Sequence, residues 1–298
     1  MSAHPAAKLF EPHDGIYLLS HSVGLPIRGG ADELQTYASE WATDPAGVWP
    51  RWLSTVDAFR ASLAALLGGD ASSVCPQSNV SSGIVKIIGS LRATLSEQPT
   101  VLLSEDAFPS LAYAADLAGC ELRFVRRDVD ATDPAIWAQH LDDARPDLVL
   151  VTHVHSNTGQ LVPAAEVTHL ARQRGVISVV DVAQSAGSTE VDVNGWAADF
   201  IVGSCGKWLS GGPGAGWLWV DAPMIERCRP TDVGWFSHED PFEFDVHDFR
   251  YADDALRFWG GTPSVLPFAL ARRSIDAVHS VGVGALRQRN QEVIDAMI

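Results

Sequence analysis

Apolar and polar positions alternate along this chain in two rhythms. Short apolar runs occur at TVLLSE (100–105), LRFVRR (122–127), DLVLVTHV (147–154), VISVVDVA (176–183) and DFIVGSC (199–205). They are short and rich in β-branched residues, which predicts strands. Several are separated by stretches with helical spacing, such as SLAYAADLAG and AAEVTHLARQRG. Strand–helix–strand repetition predicts an α/β fold, a mostly parallel sheet covered by helices on both faces. GWLWVD (216–221) adds a further strand that can run antiparallel.

Outside this alternation the pattern changes. Residues 1–30 read as an irregular arm ending in the turn-rich GLPIRGG. Residues 31–68 read as helical, with Gly68 and Gly69 suited to a helix stop. A large domain is expected over 31–265. After residue 222 the rhythm loosens into an aromatic-rich stretch that includes Trp235, Phe236, Phe242, Phe244 and Phe249. From 266 a helical pattern runs to Ile298. It is expected to be the start of a small C-terminal domain that is cut short. No internal repeat and no low-complexity segment is visible.

Composition narrows the function classes. The 298 residues are 46% hydrophobic and 19% charged, which suits a large buried core rather than disorder. A formal net charge of −16 argues against nucleic acid, because phosphate binding needs clustered Lys and Arg. No apolar run reaches the roughly 18 residues of a membrane span, and the N-terminus lacks the apolar stretch of a signal peptide. Four scattered cysteines, none in a C-x-x-C pair, fit a reduced protein. A cytoplasmic location is the expectation.

In open α/β sheets ligands bind beyond the carboxyl ends of the strands. Three such ends carry chemistry here: HVHSNTG (153–159), DVAQSAG (181–187) and GSCGKWLSGGPGAG (203–216). Lys207 is one of only three lysines and stands in an apolar, Gly-rich stretch. Taken alone it reads as a surface loop lysine. Asp181 ends the preceding strand, one strand–loop–strand unit away, so both can reach one pocket. A Lys amine and a buried carboxylate are what a pyridine aldehyde cofactor needs, one for covalent attachment and one to pair with the ring nitrogen. The lysine precedes the glycines, so this is not a G-x-x-x-x-G-K-[ST] nucleotide loop. His153 and His155 share a strand face, yet no third metal ligand has a clear place, and a pocket or core role fits them better. Cys205 has no evident base and reads as a small buried residue.

These segments, together with SHSVGL (20–25), SEDAFPS (104–110), GWFSHEDPFEF (234–244) and RFWGGTPSV (257–265), resemble the class V branch of fold-type I pyridoxal-5′-phosphate (PLP) enzymes. Within it they are most similar to kynureninases. The resemblance covers almost the whole chain in order and implies a sheet of about seven strands, a homodimer and an amino-acid substrate. It implies a Schiff base on Lys207, Asp181 on the pyridinium nitrogen and Phe108 stacked on the ring. It further implies a phosphate site at Ser78, Asn79 and Ser204, completed by Trp235 and Thr262, often across a dimer interface. Asn157 or His155 would touch the ring's 3′-oxygen.

Three positions depart from the kynureninase pattern. Gly206 stands where a Tyr precedes the lysine, Gln184 stands where His is usual, and Leu111 stands where an Asp follows the stacking Phe. Gln at position 184 is typical of cysteine desulfurases, where it contacts the 3′-oxygen. Kynureninase-like hydrolysis of a carbon–carbon bond is the first expectation. A desulfurase-like C–S lyase or a class V aminotransferase is the second, and a non-catalytic protein of the same fold is the alternative of another kind.

Overall fold

The computed structural model describes residues 5–297. An arm bridged between Phe10 and Ile27 leads into α1 (Gly30–Thr43) and α2 (Trp49–Leu67). The helical stretch expected over 31–68 is thus two helices, parted at residues 44–48. Trp49 and Pro50 open α2, where a missing Pro N–H costs nothing, and Gly68 closes it at φ 73°. Then follow β1 (Val74–Gln77), α3 (Val80–Leu91), β2 (Thr100–Ser104), α4 (Pro109–Leu117), β3 (Glu121–Val125), α5 (Pro134–Ala144), β4 (Leu148–Thr152), α6 (Ala164–Gln173), β5 (Ile177–Asp181), β6 (Phe200–Ser204), β7 (Gly216–Val220) and α7 (Ala222–Arg227). An irregular aromatic segment leads to α8 (Leu266–Val281) and, past Gly282, α9 (Val283–Asp295).

The seven strands form one sheet in the order β1-β7-β6-β5-β4-β2-β3. Only β7 runs against its neighbours, pairing antiparallel with both β1 and β6. Successive strand residues feed opposite faces, as period-2 geometry requires. Val149 and Val151 of β4 pack with Phe59, Leu63, Trp137, Val167 and Ile275, from α2, α5, α6 and α8. Leu148 and Leu150 pack with Ile84, Ile87, Leu111 and Met224, from α3, α4 and α7. Burial on both faces explains why these strands read as continuous apolar runs. The apolar side of α8 joins the large core, with Phe268 against Phe59 at 4.8 Å between ring centroids. Among the described residues no helix is long and apolar enough to cross a membrane.

Candidate active site

The carboxyl ends of β2, β4, β5 and β6 lie side by side and meet the N-terminus of α3. Between them is a hollow lined by Asn79, Val80, Phe108, Leu111, Thr152, Val154, Asp181, Gln184, Ser204 and Lys207. Six of the expected site residues, Asn79, Phe108, Asp181, Gln184, Ser204 and Lys207, therefore converge. Lys207 Nζ lies 5.4 Å from the Phe108 ring centroid.

Each group is placed by its local backbone. Asp181 is the last residue of β5 and is 5% exposed. Its Oδ1 accepts the Ala183 amide at 2.9 Å. Burial pushes its pKa up to about 6, although the Ala183 amide and the Lys207 charge both pull it down. Burial also lowers Lys207, which Asp181 opposes. Lys207 follows β6 on a tight turn whose backbone touches the arm. The Gly24 amide donates to Gly206 O at 3.0 Å, and a Cβ on Gly24 would collide with Lys207 O. Gln184 is anchored twice, donating to His21 O at 3.0 Å and accepting from Trp208 Nε1 at 2.9 Å.

Asn79 caps α3, its side chain accepting the Ser82 amide at 2.9 Å. The unpaired amides of a helix's first turn suit an anion. Strand β7 passes close behind it: a Cβ on Gly216 would lie 2.7 Å from the Asn79 backbone. Ser78 donates to Ser82 Oγ at 3.3 Å and turns to a second hollow, shared with Thr262 and Lys86. Trp235 donates to Thr262 Oγ1 at 3.2 Å. Within one chain, then, Trp235 and Thr262 lie together but do not line the Lys207 hollow.

Asn157 is not among the residues lining the hollow. Its Nδ2 donates to Asp106 Oδ1 at 2.7 Å. His155 is 1% exposed, and burial lowers its pKa. Thr152 was not singled out in the sequence, yet its buried Oγ1 lacks a hydrogen-bond partner at the hollow's wall. All four cysteines, Cys205 included, are buried and free. No group of three or more potential metal ligands forms among the described residues.

The chain belongs to the aminotransferase class-V family, whose profile matches residues 47–298. It is 33% identical over 310 aligned positions to a kynureninase of Deinococcus radiodurans, covering 99% of this chain and 73% of that one. It is 33% identical to an isopenicillin N epimerase of Streptomyces clavuligerus over 248 positions, covering 79% of this chain and 62% of that one. Among solved structures it resembles a cysteine desulfurase from Thermococcus onnurineus NA1, with TM-score 0.79 and 20% identity over 93% of this chain and 70% of that one. It also resembles a C-DES mutant with glycine linked to its PLP cofactor, with TM-score 0.83 and 21% identity over 92% of this chain and 74% of that one. These structural likenesses show the fold.

Membership brings PLP as the cofactor, and the residues present fit it. Asp181 is a buried carboxylate with a raised pKa, which a cationic ring nitrogen would compensate. The Asn79 end of α3 offers backbone donors to a phosphate. An aromatic face and an amine stand on opposite ends of a 5.4 Å gap.

Proposed function

We propose that this protein is a PLP-dependent enzyme that acts on an amino acid and cleaves a carbon–carbon bond by kynureninase-like hydrolysis. The observation that carries the reading is the convergence of Lys207, Asp181 and Phe108 on one hollow at the α3 N-terminus. Lys207 Nζ would hold the cofactor covalently. Asp181 would pair with its ring nitrogen, Phe108 would cover one ring face, and Asn79 and Ser204 would take the phosphate with the free amides of α3. PLP, when bound, supplies an electron sink for the substrate's α-carbon. Once displaced from the cofactor by the substrate amine, Lys207 Nζ would take and return the proton at that carbon, and its lowered pKa enlarges the neutral fraction able to do so. The active form is a homodimer in which Trp235 and Thr262 of each subunit complete the partner's phosphate site. Near-complete alignment with a kynureninase supports the choice of reaction.

A second reading, C–S lyase or aminotransferase chemistry, is favoured by Gln184 in the hollow and by Gly206, which leaves no side chain before the lysine. Sulfur transfer to an enzyme thiol fits less well, because every cysteine is buried.

The test is the visible absorbance of purified protein with added PLP, with and without borohydride, for wild type and Lys207→Ala. A band trapped on Lys207 and missing from the variant is the expected result. Assays for alanine released from kynurenine, sulfide from cysteine and oxo acid from other amino acids then separate the reactions. No band in the wild type would leave the non-catalytic reading standing.

A further inference from the structure

Sheet order puts β2 between β4 and β3, so the turn after β2 is flanked by the loops after both neighbours. That turn carries Asp106, two residues before Phe108. Asp106 is 7% exposed, and its backbone is pinned to the strand end, its amide donating to Ser104 Oγ at 3.1 Å. From the β4 side, Asn157 Nδ2 donates to Oδ1 at 2.7 Å. From the β3 side, Arg127 Nε donates to the same oxygen at 2.8 Å. Burial alone would raise the carboxyl's pKa, but the hydrogen bonds from Asn157 and Arg127 outweigh it and hold the group ionised. The Arg127 side chain is 67% exposed and its charge is screened by solvent. The bond to Asp106 is the Asn157 side chain's only hydrogen bond among the described residues, so without it the amide has no polar partner to fix its rotamer.

We propose that Asp106 is a positioning residue that joins the Phe108 turn to the Asn157 loop and sets both rims of the hollow as one unit. The inference rests on the hollow being the PLP site. It assigns Asp106 no contact with cofactor or substrate: its effect passes through Asn157 and Phe108.

The experiment compares Asp106→Ala, Asp106→Asn, Asn157→Ala and the Asp106→Ala/Asn157→Ala double variant. In apo protein, amide hydrogen exchange is expected to quicken over both 105–110 and 155–160 for each single alanine variant. With PLP, each single alanine variant raises the dissociation constant about 10-fold, and the double variant raises it no further. Asp106→Asn restores binding to within about 3-fold of wild type, because both hydrogen bonds land on Oδ1 and a carboxamide oxygen can accept them. A turn that is merely structural gives faster exchange over 105–110 alone, and that overturns the proposal. So do a dissociation constant unchanged in Asp106→Ala, no rescue by Asp106→Asn, or effects that multiply in the double variant. If wild-type protein binds no PLP, the cofactor reading falls, and the exchange arm alone decides whether the two loops are joined.

Discussion

Asp181→Asn separates what the site costs the fold from what it contributes to binding. Burial lifts the Asp181 pKa from 3.8 to about 6. A folded-state pKa above the unfolded one means that the native state binds the proton more tightly. Its stabilising contribution is full below about pH 4 and is lost as pH rises through about 6. The gap of roughly two units corresponds to about 3 kcal/mol carried as a penalty at neutral pH. Asparagine keeps an Oδ1 to accept the Ala183 amide, now at 2.9 Å, and removes the charge. Apo Asp181→Asn is therefore expected to be more stable than apo wild type by about 3 kcal/mol near pH 7.5, or about 5 °C in melting midpoint. The two should converge near pH 3.5. Saturating PLP should reverse the order, because only the carboxylate offsets a cationic ring nitrogen. Urea unfolding of both proteins, apo and PLP-saturated, at three pH values reads all of this. A neutral-pH apo variant no more stable than wild type, or a gain that persists unchanged near pH 3.5, would refute burial of the charge as the cause.

Gly216→Ala drives a Cβ to within 2.7 Å of the Asn79 backbone, so the capped end of α3 must shift. PLP affinity should fall about 10-fold or more while the circular-dichroism spectrum stays native, and unchanged affinity would separate that helix end from the phosphate. His153 is held edge-on to Trp196 at 4.7 Å, and burial pushes its pKa down from 6.5 to about 4. A depressed folded pKa gives stability that is present above about pH 6.5 and lost as pH falls through about 4. Relative to His153→Phe, wild type should lose about 3 kcal/mol across that window in chemical unfolding, whereas a flat difference would show that the ring is not buried neutral.

The inner parallel strands β2, β4, β5 and β6 were legible because burial on both faces makes each a mostly apolar run, and the strand ends then pointed to Lys207 and Asp181. Strand β1 was not legible. Its four residues, VCPQ, carry a proline and a glutamine and lie at the sheet edge, where β7 is the only neighbour and a missing N–H is tolerated. The break between α1 and α2 was blurred because the helical rhythm resumes at once after residues 44–48. Phe108 and Gln184 came from the family resemblance rather than from periodicity, and the structure brings both to the hollow.

The Asp106 contacts were beyond local pattern for a topological reason. Chain order runs β2, β3, β4, but sheet order places β2 in the middle. Arg127 and Asn157, 21 and 51 residues downstream of Asp106, thus reach it from opposite sides. No spacing rule within a strand or helix encodes that meeting. The same reasoning covers Trp235 and Thr262. Their segments read as site segments by resemblance, yet within one chain the fold seats Thr262 at the neighbouring hollow with Ser78, and Trp235 beside it, donating to its Oγ1. Local patterns can mark which strand ends carry chemistry. Which of those ends face each other is decided by crossover connections.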